Sequence, residues 1–114
     1  MQEDLDADYS SLGIEILSIN QTGAESGASS LSSDMDLPMV QDTSALSIWD
    51  SWGGAWRDVW ILDENNSPYA VVNLTTYGLS DATNYDGLKA LFVGAAQGTA
   101  CADVSHGLDP SVCQ

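Results

Sequence analysis

A chain of 114 residues with 44% hydrophobic content holds one domain with a modest core and is too apolar for a disordered segment. Its 17 Asp and Glu face only Lys89 and Arg57, and the formal charge of −15 excludes nucleic-acid binding by counterion release and docking on anionic membranes. No apolar run approaches the roughly 20 residues of a spanning helix, and Met1–Asp6 has neither the basic nor the apolar part of a secretory leader, so a soluble chain with no signal peptide of its own is expected.

The acids are scattered rather than gathered in a tail, a pattern of solvated or salt-adapted surface. Leu5, Tyr9 and Leu12 recur at helical spacing and Gly13 stands where a helix would stop, so residues 3–12 are predicted helical. Gly13 to Asn20 is rich in β-branched and apolar residues and predicts a largely buried strand. Residues 21–36 are rich in Gly, Ser and Asp and support only a weak helix near 24–32. Pro38 biases Leu37 to Val40 toward an extended segment.

From Ser44 the apolar residues Ala45, Ile48, Trp49, Trp52, Ala55 and Trp56 take helical spacing, with Thr43 or Ser44 as N-cap and Gly53-Gly54 ending or loosening the helix. Val59 to Leu62 and Tyr69 to Leu74, joined by the turn-rich residues 63–68, predict an antiparallel hairpin. Tyr85, Leu88, Leu91, Phe92, Ala95 and Ala96 then predict a last helix with Asn84 as N-cap. Residues 98–114 are small, polar and broken by Gly107 and Pro110, which predicts an irregular tail.

This order of elements resembles a thioredoxin-like domain without its first strand. The segments Ile19-Asn20-Gln21-Thr22-Gly23, Leu37-Pro38-Met39-Val40-Gln41-Asp42, Ile48-Trp49 and Asp58-Val59-Trp60-Ile61-Leu62-Asp63 resemble the thioredoxin-like N-terminal domain of selenoprotein P and related bacterial redoxin-type proteins, over roughly residues 3–96. The resemblance implies an α/β class fold, a three-layer α/β/α sandwich truncated at its N-terminus, with a C-terminal hairpin followed by a helix. It spans residues 1–97, with residues 98–114 as a Cys-containing tail. It also implies one sheet holding the runs near Ile16, Ile61 and Val71, built around a gap where a strand is missing.

The implied function is of the thiol–disulfide exchange class, with no catalytic residue in this chain, because the family's CxxC or selenocysteine segment has no counterpart here. Arg57 falls at the position of the family's cis-proline. The alternative is a non-enzymatic interaction module on the same scaffold, and the open strand edge invites a protein partner or self-association. No cofactor is expected. If further sequence lies upstream, an extracytoplasmic location is expected.

Four groups of residues carry the remaining chemistry. Trp49, Trp52, Trp56 and Trp60 read as core packing before a stacking platform. Arg57 reads as an ion-pair partner of Asp58 or Asp50. Cys101 and Cys113, with eleven residues between them, match neither a CxxC pair nor a four-ligand zinc site, and leave a disulfide and free thiols both open. His106, between them, reads as part of a solvent-exposed loop, so no metal site is expected. The glycosylation patterns at Asn20 and Asn73 carry no weight.

Overall fold

The computed structural model describes residues 1–20, 39–55 and 57–114. These residues form a mixed α/β structure divided into two compact units. One contains residues 1, 3–14 and 57–114, the other residues 2, 15–20 and 39–55. The weak helix expected near 24–32 lies outside the described residues, as do Trp56 and the first half of the 37–40 segment.

In the larger unit, helix α1 spans Gln2–Tyr9 and runs into a 3₁₀ turn at Ser10–Leu12, closed by Gly13 at φ +64. Positive φ costs glycine little, which is why the helix stops where the sequence indicates.

The predicted hairpin is formed by strands β3 (Asp58–Leu62) and β4 (Pro68–Asn73), numbered after two strands of the smaller unit, β1 (Ser18–Asn20) and β2 (Met39–Gln41). β3 and β4 pair antiparallel with Trp60 opposite Val71 and Ile61 opposite Ala70, and a register shift follows Ile61. The turn between them is held by Asp63, whose Oδ1 accepts from the Asn65 and Ser67 amides at 2.9 and 3.0 Å. Such side-chain-to-backbone bonds are the reason Asp opens turns.

The last helix spans Ala82–Gln97, and is α3 in chain order because a short helix of the smaller unit precedes it. It is longer than its apolar pattern predicted, and its N-cap is Asp81 rather than Asn84. The Asp81 carboxylate accepts from the Thr83 and Asn84 amides at 2.8 and 3.3 Å. Asn84 lies inside the first turn and its side chain donates to the Gly78 carbonyl. A carboxylate accepts the first-turn N–H groups more strongly than an amide does, and it also suits the positive end of the helix.

The core of this unit lies between α3 and the hairpin. Ile61, Val72, Ala70, Leu88 and Leu91 are buried there together with Cys101, Leu108 and Val112 of the tail. Two glycines of α3 make room for that tail. A Cβ on Gly87 would lie 2.1 Å from the His106 carbonyl oxygen, and one on Gly94 would lie 2.6 Å from Val104 Cγ2.

In the smaller unit β1 and β2 pair in parallel, with Ile19 opposite Val40. Chain continuity carries the backbone from β2 to Asp42, whose amide donates to the Asn20 carbonyl at 2.9 Å and whose side chain is buried. The Asp42 carboxylate accepts from the amides of Thr43 and Ile48 through Oδ1 and of Trp49 through Oδ2, at 2.8 to 3.0 Å. A buried carboxylate survives only with such donors.

Helix α2, Ile48–Trp52, follows. It is far shorter than the predicted 44–56. Ser47 has φ +46 and Gly53 has φ +66, so the backbone turns left-handed on both sides of it. Its first amides are satisfied by Asp42, six and seven residues back, and not by Thr43 or Ser44. Thr43 Oγ1 instead accepts from the Leu46 amide, within the preceding turn.

The single sheet expected from the runs near Ile16, Ile61 and Val71 is not formed among the described residues. The strands make two separate two-stranded sheets, β1 with β2 and β3 with β4, and Ile16 precedes β1 outside any strand. At the end of the described pair the Asn20 and Gln41 side chains bond to each other at 2.7 Å, and Gln41 Nε2 donates to the Asp42 carbonyl.

Replacing Asp42 with Asn turns one acceptor oxygen into an NH₂ group facing backbone N–H groups. Hydrogen bonds to a charged group contribute about 1.5–3 kcal/mol. Urea unfolding of Asp42→Asn, followed by far-ultraviolet circular dichroism, is expected to show a loss of about 2 kcal/mol. An unchanged midpoint would contradict the role given to this carboxylate.

Candidate functional site

The tail leaves α3 through Gly98, at φ +73, and turns back over the helix. A 3₁₀ turn at Cys101–Asp103 starts it and a second at Pro110–Val112 ends it, the latter capped by Asp109, whose Oδ1 accepts from the Ser111 amide at 2.8 Å. Pro110 suits the first position of such a turn because its missing N–H would have no partner there. Gly107, at φ +68, supplies the reversal between the two turns.

These reversals bring Cys101 and Cys113 together as a disulfide with Cα atoms 5.8 Å apart, inside the usual range for a disulfide. Of the two pairings left open by the sequence, the disulfide is the one present. Cys113 also forms an isolated antiparallel bridge with Ala70, and the Gln114 amide donates to the Tyr69 carbonyl at 3.0 Å. The chain end therefore continues the hairpin as a short third member beside β4.

Tyr69 anchors the other end of the tail. Its hydroxyl donates to the Thr99 carbonyl at 2.7 Å, and burial, assisted by the Asp103 carboxylate, pushes its pKa up.

His106 is half-buried against the tail rather than in the exposed loop expected from sequence. The Leu108 amide donates to its Nδ1 at 3.0 Å, which leaves the proton of the neutral ring on Nε2. Both cysteine sulfurs and a ring nitrogen of His106 lie within 4.8 Å of one another. The outer side of this cluster opens into a surface hollow of about 320 Å³ lined by Val104, His106, Leu108, Pro110 and Cys113 among others. The spacing of His106 and the two cysteines is not that of a known zinc finger, so the sequence favours an exposed loop over a ligand set. Gly107 and Pro110 carried the signal that the tail reverses.

A second polar cluster joins α1 to α3. Tyr85 donates to Asp4, and Lys89 Nζ binds Asp8 at 2.8 Å while sitting 5.8 Å from the Tyr9 ring centroid. The bond to Tyr85 holds the Asp4 carboxyl below its ordinary range, and the bond to Asp8 raises the Lys89 pKa. Asp4/Asp8 and Tyr85/Lys89 are each four apart, so each pair lies on one helix face. The ion pair is solvent-exposed and adds little to stability.

The other sequence candidates lie in both units. Arg57 has φ +68 and its carbonyl accepts from the Leu74 amide at the open end of the hairpin. Trp49 donates from Nε1 to the Ile19 carbonyl within the smaller unit, and Trp52 is exposed there. Trp60 is half-buried on β3 of the larger unit. The Asn73 side-chain amide donates to Asp58. No helix among the described residues is long and apolar enough to cross a membrane. Comparison with protein families, with curated proteins and with solved structures gives no match.

Closing a loop of this size stabilises a fold by about 3 kcal/mol in the chain-entropy account. The double variant Cys101→Ala/Cys113→Ala is expected to lose about that amount in urea unfolding. A loss below about 1 kcal/mol would show that the tail holds without its staple.

The Asp109 carboxyl is held below its ordinary value by the Ser111 amide and then by the Ser111 hydroxyl. A depressed folded pKa stabilises above the unfolded value, near 4, and that contribution is lost as pH falls through the folded value. The stability difference between the parent and Asp109→Asn is therefore expected to be constant well above the unfolded carboxyl value near 4 and to shrink as pH falls below it. A difference that grows on acidification would contradict the assignment.

Proposed function

We propose that this chain is a domain of thioredoxin-like descent that performs no thiol–disulfide exchange of its own and serves as a disulfide-stapled interaction module in an oxidising compartment. The observation that carries this reading is the burial of Cys101 in the core, with its disulfide partner Cys113 half-buried against that core. Cys101 is 8% exposed, and the residues between the cysteines include the buried Leu108 and Val112. An exchange-active sulfur needs access and a positive setting that favours thiolate. These sulfurs sit in a chain of charge −15 with Asp103 and Asp109 between them in sequence. A disulfide so placed acts on stability, and it persists where the surroundings are oxidising.

The interaction half of the proposal rests on the smaller unit. Its described residues include four exposed large apolar side chains, Leu17, Val40, Leu46 and Trp52. β1 and β2 pair in parallel there, and backbone pairing along a sheet edge is a common mode of peptide capture. The thioredoxin-like descent is supported by the segments quoted above and by the hairpin followed by a helix.

The purified oxidised chain is expected to reduce a disulfide substrate in the presence of a dithiol no faster than Cys101→Ala/Cys113→Ala does. A rate above that variant would make the pair a redox centre and overturn the non-catalytic reading. Sedimentation of the same sample is expected to show association that weakens in Val40→Lys, whereas a monomer at all concentrations would remove self-association from the interaction reading.

A further inference from the structure

We infer that Cys101, His106 and Cys113 form a zinc site when the disulfide is reduced, so that the tail closes through a metal ion in place of the sulfur–sulfur bond. This goes beyond the interaction reading, which concerns the oxidised chain. Three donors of suitable type are already gathered, with every sulfur–sulfur and sulfur–nitrogen separation within 4.8 Å. Around one zinc ion, with bonds of about 2.3 Å to sulfur and about 2.0 Å to nitrogen, tetrahedral ligands stand about 3.5–3.8 Å apart. Breaking the disulfide lets the sulfurs move apart toward that spacing, and the histidine has only to approach.

The chemistry balances without a further redox partner than a thiol reductant. A dithiol gives two hydrogens, its own sulfurs join, the Cys101–Cys113 bond breaks, and each cysteine becomes a thiol. Zinc then displaces one proton from each thiol to water. Two thiolates, a neutral imidazole and a divalent cation make a neutral centre, and this donor set selects zinc over hard cations. The surrounding charge of −15 concentrates cations at the surface.

The histidine is prepared for the exchange. Its Nδ1 accepts from the Leu108 amide, which orients the ring, and the ring nitrogen gathered with the two sulfurs is the one that meets the ion. Gly107, beside His106 at positive φ, has the backbone freedom to let the ring approach the ion. The hollow beside Cys113 and His106 leaves the fourth position to water, as in zinc sites with three protein ligands.

The test titrates the full chain with zinc alone and with cobalt as its spectroscopic stand-in, before and after reduction by a phosphine, which takes up the oxygen of a water molecule while both sulfurs gain hydrogen. One ion per reduced chain is expected, with sulfur-to-cobalt charge transfer and intense tetrahedral bands, and none for the oxidised chain. His106→Ala, with its fold verified in the oxidised state, is expected to bind at least about tenfold more weakly. The reduced parent in denaturing urea is also expected to bind at least about tenfold more weakly. Equal binding by the oxidised and reduced chains, or by His106→Ala and the parent, would overturn the site. Undiminished binding in urea would overturn it as well, because two cysteines and a histidine in an unfolded chain need no built geometry.

Discussion

The larger unit depends on the return of its C-terminal segment to the sheet from which the core is built. A hairpin of two strands is marginal in water by itself, and β3 with β4 gains a stable apolar face only through what covers it. Helix α3 covers part, and the tail covers the rest by burying Leu108 and Val112 and by placing Cys113 and Gln114 beside β4. Each buried aliphatic side chain contributes about 1.5–3 kcal/mol, but holding seventeen loosely structured residues in place costs backbone entropy that these contacts alone offset poorly. The disulfide removes part of that cost from the unfolded chain. Gly87 and Gly94 serve the same end, because a Cβ at Gly87 would collide with the His106 backbone and one at Gly94 with the Val104 side chain and the Tyr69 hydroxyl.

The smaller unit solves a different problem. None of the apolar side chains in its described part is fully buried, and it centres instead on a buried carboxylate. Asp42 collects three amides and Asn20 pairs with Gln41, so the strand ends and the start of α2 are fixed by hydrogen bonds. Polar centres of this kind specify geometry strongly while adding modest net stability. The exposed Leu46 and Trp52 lie on the surface of this unit, and that surface is the one the interaction proposal assigns to a partner.

Elements with clear periodicity and local stop signals were legible in the sequence. The hairpin follows from two apolar runs around Asp63-Glu64-Asn65-Asn66, and the end of the first helical segment follows from Gly13, where positive φ closes the helix cheaply. What failed was decided by bonds between residues distant in sequence or by caps competing locally. The aromatic spacing of 45–56 promised a long helix, but Asp42 reaches forward to Ile48 and Trp49 and Ser47 turns left-handed, so five residues remain helical. Asp81 displaced Asn84 as cap for reasons of charge that residue spacing does not display. The candidate site was half legible. Two cysteines in an acidic chain without CxxC left a staple among the open choices, whereas the approach of His106 required the reversal at Gly107 and the fit against Gly87.

The central claim is that residues 98–114 are an integral part of the core and not an appendage to it. Native-state hydrogen exchange at the Gln114 amide, which donates to the Tyr69 carbonyl, tests this most directly. If the claim holds, this amide in the oxidised chain exchanges only with the global opening that also exposes Val72 on β4, at one free energy. Exchange near the rate of an unstructured peptide, while Val72 stays protected, would show a tail that frays independently and would contradict the account.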